Sequence, residues 1–511
     1  MRTQLLLIIL FITAHTNAQI VNIPDPEFKA YLIANSSINT NLDTEIQLSE
    51  ATAFTGEINC SSSNILDLTG IEAFTSLSVL DCAFLQITSL DLSQNSALTQ
   101  LNCSYCALVA LDISQNTALT SLDCRSNMLS SLDVSQNDAL TNLNCDGNQL
   151  AVLDVSQNSA LTHVSCRENQ ITSLDFSQNP DLFYLYCMDN QITTLNVSQN
   201  SALDYLRCAN NPLATLDITQ NTALTELYCW NNNLTSLDVT QNIVLVKMFC
   251  NHNNLTSLDV SQNTELLYLN CSNNNLTSLD VSQNTNLHSL YCSDNLLTLL
   301  DISQNTVLWA IYCFANELTS LDVSQNTALN NLRCFDNQLA TLDASFCTSL
   351  HVLFCHDNQL TSLGIPLSPG LSYVTCQNNQ LTSLVISQNT TISDLNCSNN
   401  DLECLNVNNG VNSFPYQLNA SNNPNLTCIE VNNLFLATNN WTVANGLIDP
   451  QMSFSQNCGN ACSVGLEEHS NNTKQLNKIV DLMGRETRYK SNTVLIYVYT
   501  DGSIERVCTF E

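Results

Sequence analysis

From Cys82 to Cys397 this chain carries a cysteine every 21 residues, sixteen in unbroken register. Around each runs the pattern L-x-x-L-x-C-x-x-N-x-L, as in Leu119-Thr120-Ser121-Leu122-Asp123-Cys124-Arg125-Ser126-Asn127-Met128-Leu129. The rest of the unit repeats the same grammar, as in Leu132-Asp133-Val134-Ser135-Gln136-Asn137, so each unit divides into half-units of 10 and 11 residues. Leu-x-Cys and Leu-x-Val alternate with period two, which turns Leu, Cys and Val inward and the residues between them outward. A single coil of this kind cannot bury its own apolar edge; stacked coils share one core. The asparagines three residues after each Cys, beginning with Asn127, Asn148, Asn169 and Asn190 and ending in phase at Asn400, are placed to satisfy backbone groups at successive turns. Cys60 precedes the series one residue out of register, and Ala420 takes the corresponding place after a two-residue insertion.

Repeat-to-repeat variation separates two faces. The second half-unit is monotonous, as in Asp112-Ile113-Ser114-Gln115-Asn116 and Asp322-Val323-Ser324-Gln325-Asn326. The first half-unit varies at its outward positions, which lie three and one residues before the Cys and one after it. The position just before the Cys holds Tyr186, Arg207, Tyr228, Phe249, Tyr291, Tyr312, Arg333 and Phe354, interrupted by Asn270. The flanking columns add Tyr184, Tyr205, Trp230, Lys247, Tyr268, Phe314, Phe335 and His356. Between Cys82 and Cys404 the basic residues are five (Arg125, Arg167, Arg207, Lys247 and Arg333), all in these outward columns. Aromatic residues in strands also serve cross-strand packing. That explains part of the enrichment but not the gathering of every basic residue of the array on one face. Tyr, Trp, Phe and Arg are the residue types of binding hot spots.

These units resemble leucine-rich repeats, specifically the bacterial 21-residue nested repeats called IRREKO-type, over roughly residues 60–426. The resemblance implies a β-rich solenoid, a right-handed coil of about 17 turns with a parallel sheet on one face that binds partners. Cys106 and Cys347 stand at asparagine-ladder places, a replacement such repeats allow.

The 24 cysteines of the chain divide by position. In-register side chains on neighbouring parallel strands lie about 4.8 Å apart with parallel vectors, whereas bridged Cβ atoms need about 3.8 Å and convergence. The ladder cysteines are therefore expected to be buried thiols acting as small hydrophobes. Metal or redox roles are the alternative; Cys103 and Cys106 form a C-x-x-C, but both fall on ladder positions. Cys404, Cys428, Cys458 and Cys462 lie beyond the ladder, in the segment that must cover the last coil. Of the three possible connectivities, Cys428 with Cys458 is the expected pairing. Cys508 has no evident partner.

Other motifs carry less chemistry. Twelve aspartates stack in the second half-unit from Asp91 to Asp343, broken by Asn196. Like charges about 5 Å apart need local hydrogen bonds, solvent or a cation; capping of Ser or backbone N–H groups is the expectation, calcium the alternative. In the N-terminal cap, which resembles the caps of flavobacterial secreted leucine-rich-repeat proteins, Asn39, Asn41, Asp43 and Glu50 echo a degenerate EF-hand-like calcium loop, with Thr44 where the turn glycine belongs. No other cofactor is expected. Neither G-x-S-x-G nor H-E-x-x-H nor a phosphate-cradling loop occurs, and the histidines scatter over different columns, so an enzyme is not expected.

The chain ends give the compartment. Arg2, the apolar run from Leu5 to Ile12 and the small residues up to Ala18 read as a secretory signal peptide, residues 1–18, too short to span a bilayer. The cap is expected over 19–59, the solenoid over 60–426, a C-terminal cap over 427–466 and a different kind of sequence over 467–511. Residues 474–511 hold six basic and five acidic side chains and suggest short strands. They resemble the C-terminal sorting domain of the Bacteroidetes type IX secretion system, although Leu495-Ile496-Tyr497 stands where Gly-x-Tyr is usual. This implies a protein secreted to, or attached at, the outer surface of a Gram-negative bacterium. A net charge of −33 argues against nucleic acid and anionic membranes as partners. The expected function is recognition of protein or peptide ligands through the varied face, with glycans second. A passive or ice-binding rod is the third reading, motivated by the Thr column Thr235, Thr256, Thr277, Thr298 and Thr319 on the uniform side.

Overall fold

The computed structural model describes residues 19–409 and 417–459, together with the backbone of three strands beyond them. The expected leader, residues 1–18, lies outside the described residues. The chain winds as a solenoid whose main feature is an 18-stranded parallel sheet, running in chain order from Glu57–Asn59 to Gln417–Asn419. Each coil contributes a three-residue strand with its middle residue buried and both flanks outward, as in Glu226–Tyr228 around Leu227. The register advances by one repeat per strand: Tyr205 pairs with Glu226, and Glu226 with Lys247.

The second half-unit pairs as strands in places. Ser173–Asp175 joins Thr194–Asn196, Thr341–Asp343 joins Ser362–Gly364, and a four-stranded set runs from Ser383–Val385 through Cys404–Asn406 and Cys428–Glu430 to Ser453–Ser455. That last set carries the parallel stacking past the final strand of the main sheet. Between the two sides lies a continuous core of Leu, Ile, Val and Cys columns, with Leu224, Leu227, Cys229, Leu234 and Val239 fully buried in one coil.

What holds coil to coil is partly side chain. Asn127 Nδ2 donates to the carbonyls of Cys103 (2.9 Å) and Cys124 (3.0 Å), while its Oδ1 accepts from Leu108 N–H at 3.0 Å. A second buried ladder runs down the other half-unit: Asn263 Nδ2 donates to the carbonyls of Val239 and Asn242, both at 2.9 Å. In the first half-unit the residue before each ladder asparagine turns into the left-handed region, as at Ser126 (φ 54°), Asn210 (φ 54°) and Asn231 (φ 52°). Asn, Asp and Gly tolerate that conformation best, and they fill much of this column.

Both ends of the stack are closed by an aspartate. At the start, α1 (Pro26–Ala34) is capped by Asp25, whose Oδ1 accepts from Glu27 and Phe28 N–H, while Oδ2 accepts from Leu66 and Asp67 N–H of the first coils. The helix drives Phe28 and Leu32 into the core, and α2 (Leu48–Ala53) follows it. At the far end Asp449 accepts from Asn422 and Asn423 N–H, both at 2.8 Å, and α3 (Leu434–Asn440) leads into the buried Trp441. A disulfide joins Cys428 to Cys458 across a Cα separation of 5.8 Å, and Cys404 is disulfide-bonded as well. Cys462 lies outside the described residues. In the tail, Leu476–Val480, Val494–Tyr499 and Ile504–Cys508 pair as an antiparallel three-stranded sheet. Among the described residues no helix is long and apolar enough to cross a membrane.

The sixteen ladder cysteines are free thiols and buried. Burial pushes the thiols of Cys208, Cys271, Cys313 and Cys376 up to about 12, because a thiolate there would lack water. Each folded thiol thus holds its proton at pH values where the unfolded one, near about 8.5, releases it. Their contribution is complete below that value and is lost as pH rises toward the folded value, at up to about 1.4 kcal/mol per pH unit for each thiol. The protein should therefore unfold steeply between about pH 9 and 11. Replacing Cys250, Cys271 and Cys292 together by Ala, the residue already present at 420, should move the alkaline midpoint upward. Circular dichroism against pH reads this; an unchanged midpoint would refute it. Removing a rung of the second ladder, Asn263→Ala, takes away two inter-coil hydrogen bonds and leaves the Val239 and Asn242 carbonyls with only the backbone N–H groups of Asn242 and Leu245. It should cost about 1–3 kcal/mol in chemical denaturation, whereas Asn233→Ala at an exposed position should cost almost nothing.

Candidate functional site

The outward columns of the main sheet are set by the pleat: the residues three and one before each Cys flank the buried middle residue and share its register. Parallel strands lie about 4.8 Å apart, close to the spacing at which flat rings stack. Side chains one repeat apart therefore cover one another. All sixteen residues read from the sequence lie on this face, and each is half-buried rather than fully exposed. Their neighbours in the column account for that burial.

The structure gathers them into two patches. In the first, Tyr184 and Tyr205 stack at 4.4 Å, with His163 4.6 Å from Tyr184. One column over, the Arg207 guanidinium lies between two rings, 4.8 Å from Tyr186 and 4.5 Å from Tyr228, and Tyr228 stacks on Phe249 at 5.0 Å. Trp230 meets Tyr228 edge-on at 5.7 Å. At the centre is Glu226, which accepts from Lys247 Nζ and from the Tyr228 hydroxyl, both at 2.9 Å, and lies 3.6 Å from Arg207. Burial alone would raise its carboxyl, but the Lys247 and Tyr228 hydrogen bonds and the two nearby positive charges hold it below the usual range.

In the second patch, Tyr291 meets Tyr312 edge-on at 4.8 Å, and Arg333 is held between Tyr312 (4.6 Å) and Phe354 (5.1 Å). Beside it Phe314, Phe335 and His356 form a parallel stack at 4.4 Å per step, with ring planes within 7°. Burial lowers the His356 imidazole from its ordinary value. Asn270 separates the patches. Tyr268 belongs to neither and instead approaches His288 at 5.7 Å, which in turn stacks on Trp309 at 5.7 Å.

Glu226, His163, Phe183 and Trp309 complete these clusters and were not singled out from the sequence. Phe183 and Trp309 stand four residues before the Cys, in a column where Thr is the commonest residue and its hydroxyl bonds back to the preceding coil, as Thr120 Oγ1 does to Thr99 O at 3.0 Å. A large ring in that column was the available signal. Glu226 announces itself only once Arg207 and Lys247 are seen one coil to either side.

The remaining candidates resolve locally. Each stacked aspartate of the uniform side accepts from the backbone N–H two residues on, as Asp112 does from Ser114 at 3.0 Å. That bond and the Ser114 hydroxyl hold the Asp112 carboxyl below the usual range. In the N-terminal cap, Glu50 Oε1 accepts from the N–H groups of Thr40 (2.8 Å) and Asn41 (3.1 Å), Oε2 from Gln47 N–H (3.0 Å), and Asn39 Nδ2 donates to the carbonyls of Ile33 and Asp43. Asn41 Nδ2 reaches Asp43 Oδ2 at 2.9 Å. Among the described residues no group of three or more His, Cys, Asp or Glu side chains is arranged to hold a metal ion.

No family model and no curated protein matches the chain. Solved structures do. The functional domain of InlJ from Listeria monocytogenes, described as including a cysteine ladder, is 27% identical, covers 96% of this chain and 98% of its own, and superposes with a TM-score of 0.57. A leucine-rich-repeat protein of Leptospira interrogans is 24% identical over 70% of this chain and 92% of its own, with a TM-score of 0.55. The plant peptide hormone receptor RGFR1, in complex with RGF2, is 15% identical over 78% and 79%, again at 0.55. The chain is a leucine-rich-repeat solenoid of 21-residue units, similar to the internalin-like leucine-rich-repeat proteins.

Proposed function

We propose that this protein is a non-enzymatic binding protein that recognises protein or peptide ligands through the two aromatic and Arg-bearing patches of its main sheet. The observation that carries this reading is the segregation itself. Every basic residue of the array and most of its large rings stand on one face, while the opposite face repeats the same short polar sequence. Rings already stacked and guanidinium groups already clamped lose little further freedom on binding, which favours tight recognition. The likeness in fold to a receptor solved with its peptide agrees with this role.

A peptide or protein suits the patches better than a glycan. Tyr228 with Phe249, and Phe314 with Phe335 and His356, spend their ring faces on one another and turn their edges outward. Sugar platforms need free faces; side chains and backbone N–H or C=O groups suit edges and hydroxyls. Arg207 and Arg333 stand six coils apart, about 29 Å at the strand spacing, which an extended segment of about nine residues spans. In this reading the leader over residues 1–18 and the sorting-type tail over 467–511 deliver the solenoid to the outer surface of a Gram-negative bacterium or beyond it.

The test is a triple variant, Tyr228→Ala, Tyr291→Ala and Arg333→Ala, compared with wild type in pull-downs from host or culture extracts and on a glycan array. A partner captured by wild type should bind the variant at least about 100-fold more weakly with the far-ultraviolet spectrum unchanged. Undiminished capture of that partner would move the site off this face. Binding to the glycan array in place of protein would replace the ligand class.

A further inference from the structure

Four of the five basic residues of the array are already matched to a carboxylate. Arg125 lies 3.3 Å from Asp123, Arg167 lies 2.8 Å from Glu168, and Arg207 and Lys247 share Glu226 at 3.6 and 2.9 Å. Arg333 is different. Its Nε donates to Asn331 Oδ1 at 3.2 Å, Asn331 Nδ2 donates in turn to the Tyr312 hydroxyl at 3.1 Å, and its guanidinium is held between the Tyr312 and Phe354 rings. Among the described residues its side chain makes no other hydrogen bond and no ion pair with a carboxylate.

A guanidinium fixed by two rings and by its Nε keeps its outer nitrogens for a ligand. Their fork matches both oxygens of a carboxylate, and the rotamer freedom that pairing would cost is already gone. In a chain of net charge −33, the carboxylate of a ligand meets repulsion almost everywhere else. The parallel stack of Phe314, Phe335 and His356 supplies an apolar flank beside it.

We infer that Arg333 anchors the carboxylate of an Asp or Glu side chain lying within an extended segment of a protein partner, with an apolar residue of that segment against Phe314 and Phe335. This rests on the peptide-binding reading above. An internal side chain, rather than a chain terminus, fits the site because the sheet continues unbroken in register on both sides of Arg333. Nothing there ends the track of a bound segment.

Random-sequence N-acetylated octapeptides, arrayed with free and with amidated C-termini, test this with the full chain as wild type, R333A, R333K and a Y228A/Y291A variant. Wild type should select peptides carrying Asp or Glu next to an aromatic or aliphatic residue in both arrays. A selected peptide measured in solution should bind R333A at least about tenfold more weakly. R333K should also lose affinity, because an ammonium keeps the charge but neither the flat stack nor the fork. The peptide with its acid changed to the amide should bind wild type and R333A alike, as a closed double-mutant cycle requires. Selected peptides without an acid, indifferent to R333A yet lost on Y228A/Y291A, would overturn the anchor while leaving the binding face intact. Dependence on a free C-terminus would replace the side chain by a terminus. An array on which wild type binds nothing would overturn both readings together.

Discussion

The buried asparagine amide is the interaction on which the rest of this structure depends. Each turn of the coil leaves backbone carbonyls pointing into an apolar interior, where an unmet acceptor costs about 1–3 kcal/mol. Asn127 meets the carbonyls of Cys103 and Cys124, while Asn116 adds a second donor to those of Leu92 and Asn95, which also accept from the N–H groups of Asn95 and Leu98. In each case the side chain of one coil is bonded to the main chain of the coil before it. The bond locks the phase of successive repeats, so a residue type placed in one column stays in that column along the whole stack. The thiol ladder inside and the ring stacks outside both follow from that lock.

The coil and its two faces were legible in the sequence because a strict period of 21, with alternation inside each half, leaves one way to bury the Leu and Cys columns. The fate of the thiols was legible too, since parallel in-register strands hold equivalent side chains apart rather than converging. Less of the site could be read. Alternation says which way Tyr228 or Phe314 points, but not that the next ring in the column covers it. All sixteen residues therefore proved half-buried where exposure was expected. Glu226 was passed over because its importance is relational: it lies beside Lys247 in register and diagonal to Arg207, contacts that exist only after the coils are stacked. The closing aspartates, Asp25 and Asp449, were likewise invisible, because each bonds residues 26 or more positions away.

The charge of the chain looks different once it is divided by face. Much of the negative excess is a single aspartate repeated along the uniform side, where each carboxylate is spent on its own backbone turn. That excess describes how the second half-unit is built more than what the protein meets. Of the five positive residues of the array, Arg125, Arg207 and Arg333 lie against rings, and within the array only Arg333 is left without a carboxylate of its own.

Because every coil bonds only to its neighbours, the solenoid also behaves as a ruler. Six repeats separate Arg207 from Arg333. Gain or loss of a single 21-residue unit in the stretch around Asn270 would shift the two patches relative to each other by one strand spacing, about 4.8 Å. It would leave the internal geometry of each patch untouched. The span between anchors can thus be retuned in discrete steps by copying or deleting a repeat, a change of gauge that needs no new chemistry at either end.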